Sequence, residues 1–201
     1  MKRNVKTFSR RIGGYPLSES ILPQLVMIHE QLSLLPEISN SEPYHFAAYK
    51  PGDEAAWEAI IGESFQSAFS FEEFMKKDVE FRPERIIILW KGNQPVATAS
   101  AWHQAKLGSD MGYLHMVGIM NAYAGQGLGR KITHAALIQM RNDGRVKALL
   151  NTDDFRISAI KTYLRLGFVP KLSHESHGPR WKEIANQLQD PEMKRTIAAS
   201  L

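Results

Sequence analysis

Three groups of residues in this 201-residue chain have the types and spacing to do chemistry. The first is Gly125-Gln126-Gly127-Leu128-Gly129, followed at once by Arg130 and Lys131. The pattern predicts a strand before it and a helix after it. The first N–H groups of a helix lack partners within it, and residues without Cβ let an anion approach the backbone. Such a segment suits a phosphate or pyrophosphate, with Arg130 and Lys131 adding positive charge. A tight turn with close helix–sheet packing accounts for the same glycines without a ligand. The segment is neither G-x-x-x-x-G-K-[ST] nor the opening of a βαβ dinucleotide unit.

The second group is Arg156, Ala159 and Tyr163, at offsets 0, 3 and 7 of a predicted helix. They share one face, while Ile157, Ile160 and Leu164 line the apolar face beside it. A guanidinium, a small residue and a phenol thus lie along one strip. The third is His115, on a predicted strand whose Tyr113, His115, Val117 and Ile119 alternate onto one face. Its imidazole type titrates near neutrality and can serve as a general base; a core histidine bonded to backbone is the competing reading. Glu72, Glu73, Asp110, Asp153 and Asp154 are reserve bases, with Asp153 or Asp154 placed to cap the helix beginning near Phe155. His174-Glu175-Ser176-His177 lacks the helical spacing of a metal pair and runs into Gly178-Pro179, so His174–Arg180 reads as a loop. Trp102, Trp181 and the Phe65/Phe69/Phe71/Phe74 cluster read as core. The alternative for Phe71, Phe74 and Met75 is a wall over an acceptor pocket.

The elements that position these residues follow from periodicity and turn chemistry. Tyr44–Tyr49 reads as a strand, and Pro51-Gly52-Asp53 leads into a helix with Asp53 as N-cap and Trp57, Ile60, Ile61 and Phe65 as its stripe. Ser70–Lys77 opens with a capping-box pattern. Arg85–Lys91 and Gln94–His103 form a hairpin about Gly92-Asn93. Gly112–Met120 leads to the glycine segment and a helix to about Asn142. Lys147–Asn151 is a strand, about Phe155–Leu166 a helix ended by Gly167, and Phe168–Leu172 a strand. Antiparallel hairpins followed by β-α-β-α-β imply an α/β mixed sheet flanked by helices. Residues 1–42, punctuated by Gly13-Gly14 and prolines, read as an extension lying on the domain, with one helix or strand around Gln24–Leu35; 43–173 is the domain, and 174–201 a loop and helix.

Composition narrows the function classes. There is no cysteine, which removes disulfides, thiolate metal sites and cysteine nucleophiles. The longest apolar run is the five residues Ile86–Trp90, far short of the roughly 20 that span a bilayer. The net charge of +4 hides an uneven distribution: residues 1–15 carry five basic side chains and no acid, leaving 20 basic against 21 acidic elsewhere. The folded body therefore offers no electrostatic case for nucleic acid. The basic arm is read as a frayed terminus, with an RNA-associated enzyme as the alternative. A cytoplasmic location and a homodimer are both compatible with this composition.

Strand–Tyr123-Ala124-Gly125-Gln126-Gly127-Leu128-Gly129–helix, then Arg156…Ala159…Tyr163…Gly167-Phe168, resembles the two acetyl-CoA-binding motifs of GNAT N-acetyltransferases. The resemblance covers roughly residues 44–172, including Tyr49-Lys50-Pro51-Gly52-Asp53. It implies a mainly antiparallel sheet splayed between its fourth and fifth strands, with acetyl-CoA as cosubstrate in the splay and no metal. It further implies backbone pairing of Val117 and Ile119 with the pantetheine arm, and a pyrophosphate cradle from Ala124 through Gly125, Gln126, Gly127, Leu128 and Gly129 to Arg130. Asn151, Arg156 and Ala159 are implied as further cofactor contacts, and Tyr163 as the acid that protonates the leaving thiolate. Ala124 departs from the family's Gln/Arg, and Arg156 from its frequent asparagine. The family's usual seventh strand is not readable after Leu172. The activity implied is acetyl transfer to a primary amine, small-molecule or peptide; the rival is an acyl-CoA-binding module without catalysis.

Overall fold

The computed structural model describes residues 22–201; the basic arm and Gly13-Gly14 lie outside the described residues. The isoleucine-rich run becomes an interior strand of one seven-stranded sheet. In chain order the strands are β1 (Leu25–His29), β2 (Tyr44–Ala48), β3 (Ile86–Lys91), β4 (Gln94–Trp102), β5 (Met111–Ile119), β6 (Lys147–Thr152) and β7 (Val169–Lys171), and their spatial order is β2-β3-β4-β5-β6-β1-β7. Every pairing is antiparallel except β5 with β6. Gly92, at φ 57°, makes the hairpin turn between β3 and β4.

The helix or strand expected around Gln24–Leu35 is the strand β1, and it is built into the sheet instead of lying on the domain. β1 is an inner strand, pairing with β6 on one edge and β7 on the other, and its Leu25 and Met27 are fully buried. No strand follows β7 in the sequence. Residues 30–43 then cross to β2 over α2 (Leu128–Asn142). Leu32 donates to the Val146 carbonyl, Arg141 bonds the Leu35 carbonyl and Glu37, the His134 ring meets the Pro36 carbonyl, and Lys131 bonds Ser41.

Helices cover both faces. α1 (Glu54–Phe65) and the helical turn Glu72–Lys76 bury Trp57, Ile61, Phe71 and Met75 with Tyr49, Ile86 and Trp102 in one cluster. α2, α3 (Ile157–Arg165), α4 (His177–Gln187) and α5 (Pro191–Ala198) share the second cluster with Leu25, Met27, Leu114, Phe168 and Trp181. Phe74 is 46% exposed, so it is not the core residue expected.

Three local expectations change. The segment read as a loop up to Arg180 is helical from His177, because a proline in the first turn removes an N–H that would be unpaired anyway. Asp53 holds the N-cap position of α1, but its carboxylate accepts from Lys50 N–H and caps no helix N–H. Asp153 and Asp154 do not cap α3, whose N-cap is Arg156; they pair with Arg156 and Arg180 respectively.

Candidate active site

β5 and β6 are partners only at their starts. Parallel pairing covers Met111–Tyr113 against Lys147–Leu149 and then stops. Beyond that point β5 keeps β4 and β6 keeps β1, and their facing edges are free. Unpaired N–H and C=O groups along a strand edge are a template for another extended, amide-bearing chain. A cleft of about 170 Å³ opens there, lined by His115, Val117, Asn151, Arg156 and Tyr163 among others. These residues come from three elements far apart in sequence and meet in one cleft.

A bulge reshapes the β5 wall. Ser100 stands opposite His115 and Thr98 opposite Gly118, so Met116 and Val117 together face Ala99. Met116 takes a left-handed φ of 49°, which accommodates the extra residue. The bulge reverses the side-chain alternation. Tyr113 and Met116 pack on the Trp57 cluster, and a Cβ at Gly118 would meet Ile60, Ile61 and Ser64 of α1. Leu114, Val117 and Ile119 pack on the α2 cluster instead. The single face expected for Tyr113, His115, Val117 and Ile119 is therefore divided. The His115 ring stays with Tyr113 and Trp102, at 5.7 and 5.9 Å.

The glycine segment lies at the β5 end of the cleft, and its glycines do different jobs. Gly125 and Gly127 have φ of 77° and 75° with open space where a Cβ would stand, so the turn itself demands them. A Cβ on Gly129 would lie 2.8 Å from Ile119 Cδ1, so this glycine brings α2 close to β5. Gly127 is the N-cap of α2, and no side chain caps that end. Gln126 accepts from the Tyr44 hydroxyl at 3.1 Å and donates to the Ala122 carbonyl; Ala124 ends the turn Asn121–Tyr123. Residues 124–127 and Arg130 are exposed, and Leu128 is buried. The Arg130 side chain lines a second groove of about 670 Å³ with His29, His134 and Arg165. Ala159 packs partly buried against the core and does not line the cleft.

The titratable groups in the cleft are tuned by burial. Desolvation pushes His115 down to about 4, against a weaker pull upward from Asp78. Its ring nitrogens have no hydrogen bond among the described residues, unlike a satisfied core histidine. A neutral imidazole with an available lone pair results. Burial pushes the Tyr163 phenol up to about 12, with the Arg156 charge opposing, so it keeps its proton at neutral pH. Of the reserve carboxylates, Glu72 and Glu73 pair with Lys76 and Lys77, Asp154 pairs with Arg180, Asp110 precedes β5 at the closed end of the β5–β6 pair, and Asp153 lines the cleft beside Arg156. Among the described residues no cluster of three or more His, Asp or Glu could hold a metal ion.

Sequence reasoning did not single out Gln24, Thr152 or Met116 as cleft residues. Gln24 precedes a strand whose pairing is entirely long-range, and methionine gives no sequence signal for a left-handed conformation.

Residues 45–168 match the model of the acetyltransferase (GNAT) family. The chain belongs to that family. Curated relatives include the mycothiol acetyltransferases of Streptomyces scabiei, 25% identical over 83% of this chain and 50% of that protein, and of Thermomonospora curvata, 28% identical over 69% and 48%. The chain thus spans about half the length of these relatives. Among solved structures, a GCN5-related N-acetyltransferase from Sphaerobacter thermophilus superposes with a TM-score of 0.57 at 20% identity, covering 75% of this chain and 50% of that one. One from Kribbella flavida gives 0.54 at 21%, covering 75% and 55%. These neighbours show a shared GNAT fold, and GNAT members use acetyl-CoA as cosubstrate. Among the described residues no helix is long and apolar enough to cross a membrane.

Proposed function

We propose that this GNAT protein transfers acetyl from acetyl-CoA to a primary amine by direct attack. The observation that carries the reading is the cleft itself, which joins a free β5 edge to His115 on one wall and Tyr163 on another. The residues fit acetyl-CoA along its length. The edge beyond Leu114, with Val117 and Ile119, offers backbone groups to the pantetheine amides. The uncapped N-terminus of α2 and the left-handed glycines before it offer N–H groups to the pyrophosphate. The groove with Arg130 and Arg165 suits the phosphate at the nucleotide end.

The cosubstrate supplies an activated thioester carbonyl. The chain's own residues manage two protons. His115 accepts the proton that the amine sheds as it forms the new C–N bond, directly or through one water. Tyr163 holds a proton on its hydroxyl for the sulfur that departs with the electrons of the broken C–S bond. The test is purified protein with acetyl-CoA against a panel of primary amines, reading free CoA. Amine-dependent release supports the reading. Binding of acetyl-CoA with no release for any amine would favour a non-catalytic acyl-CoA module.

A further inference from the structure

Among the described residues, Arg156 is the only arginine or lysine lining the cleft. It projects from the N-cap of α3, and its guanidinium carbon lies 4.1 Å over the ring of Phe65, the last residue of α1. That contact joins the two arms of the splay. Phe65 packs with the Trp57 cluster, the face away from α2 and its phosphate-ready N-terminus. Arg156 therefore stands where a second substrate would enter opposite the cosubstrate.

Its donors are largely unspent. Nε lies 3.5 Å from Asp153 Oδ2, and no acceptor among the described residues bonds the terminal nitrogens. Stacking on an aromatic face leaves the in-plane N–H groups of a guanidinium free. Asp153 is itself shared, since its Oδ1 accepts from Gln24 Nε2 at 3.0 Å. A fork of unspent in-plane N–H donors matches one ligand group well, a carboxylate.

We propose that Arg156 forms a carboxylate-binding subsite, so that the acceptor is a small primary amine that also carries a carboxylate. This deepens the transferase reading and rests on it. Arg156 holds the acid group while His115 faces the amine, which fixes the nucleophile before attack. A cleft of about 170 Å³ suits a small acceptor of this kind.

The test compares amino acids with their amides as acceptors, in wild type and in Arg156→Gln and Arg156→Lys. The two members of a pair differ in amine basicity, but that difference is common to all three proteins and cancels in the comparison. Wild type should prefer acids, and the acid-to-amide ratio of kcat/KM should fall about 10–100-fold in Arg156→Gln, as expected for losing hydrogen bonds to a charged group. Arg156→Lys should recover part of it. A second arm needs no turnover: calorimetric binding of N-acetylglycine should weaken in Arg156→Gln and recover in part in Arg156→Lys, and binding of N-acetylglycinamide should not weaken to the same degree. Active enzyme with no acid preference, or a preference that survives Arg156→Gln, overturns the subsite and leaves the transferase reading standing. If no amine is acetylated, the transferase reading fails, and the binding arm still decides the subsite: equal N-acetylglycine affinity in all variants overturns it.

Discussion

The phenol of Tyr163 holds its proton because its surroundings are apolar: Phe168 meets it edge-on at 5.9 Å and the helix that carries it is packed into the core. Tyr163→Phe removes only the hydroxyl, so the variant should fold normally while kcat drops about 10²–10⁴-fold with little change in KM for acetyl-CoA. Full kcat in the phenylalanine variant, measured where chemistry limits the rate, removes this role from Tyr163. His115 is tuned the other way, and its pKa makes a second prediction with a definite sign. Its folded pKa of about 4 lies below the usual value of 6.5. Between these limits the unfolded chain binds more protons, so the stability contributed by the neutral ring is complete above pH 6.5 and is lost as pH falls toward 4. The expected span is on the order of 3 kcal/mol. Urea titrations across that range should show His115→Asn with a flatter pH dependence than wild type; parallel curves would mean that the ring is exposed and ordinary.

The glycine turn and the α3 strip are elements whose chemistry is local. Gly127→Val places a β-branched residue at a φ of 75°, which should lower stability by about 1–2 kcal/mol. Nothing lies within 4 Å of the new Cβ in the protein itself, so any larger loss of CoA affinity comes from the ligand side. Calorimetry should find CoA binding severely weakened in a folded variant, and unchanged affinity would move the phosphate site away from this turn. Such elements are legible in sequence because glycine spacing and a 3.6-residue period record them directly. The division of β5 into two faces is not legible, since the bulge at Met116 comes from pairing with β4 and leaves no glycine behind. Nor is α4, because Gly178-Pro179 ends most helices and here begins one. The cleft could be assembled in outline from His115, Arg156 and Tyr163, but the contact of Arg156 with Phe65 depends on how two arms of the sheet approach.

At the scale of the whole molecule, β1 joins the front of the chain to its back half. Val26 pairs with Asn151 on one side and Lys171 on the other, so Val26→Pro removes a donor from the middle of the sheet. The expected result is a large loss of stability in urea together with weakened acetyl-CoA binding, because β6 is a wall of the cleft and β1 is its only partner beyond Leu149 among the described residues. Retained binding in a destabilised variant would show that the cleft holds its shape without β1. The same strand has a consequence for how the protein is made. Residues 25–29 are synthesised long before residues 148–152 and 169–171, their pairing partners, exist. Until then the β2–β5 half can gather its short-range hairpins, while β1 waits as an apolar segment with both edges open. Long-range pairings of this kind form slowly and leave strand edges exposed to aggregation. The β6 wall of the cleft is thus completed late in biosynthesis, and a nascent chain halted before Lys147 carries β1 with neither of its partners, a natural target for a chaperone that shields extended apolar segments.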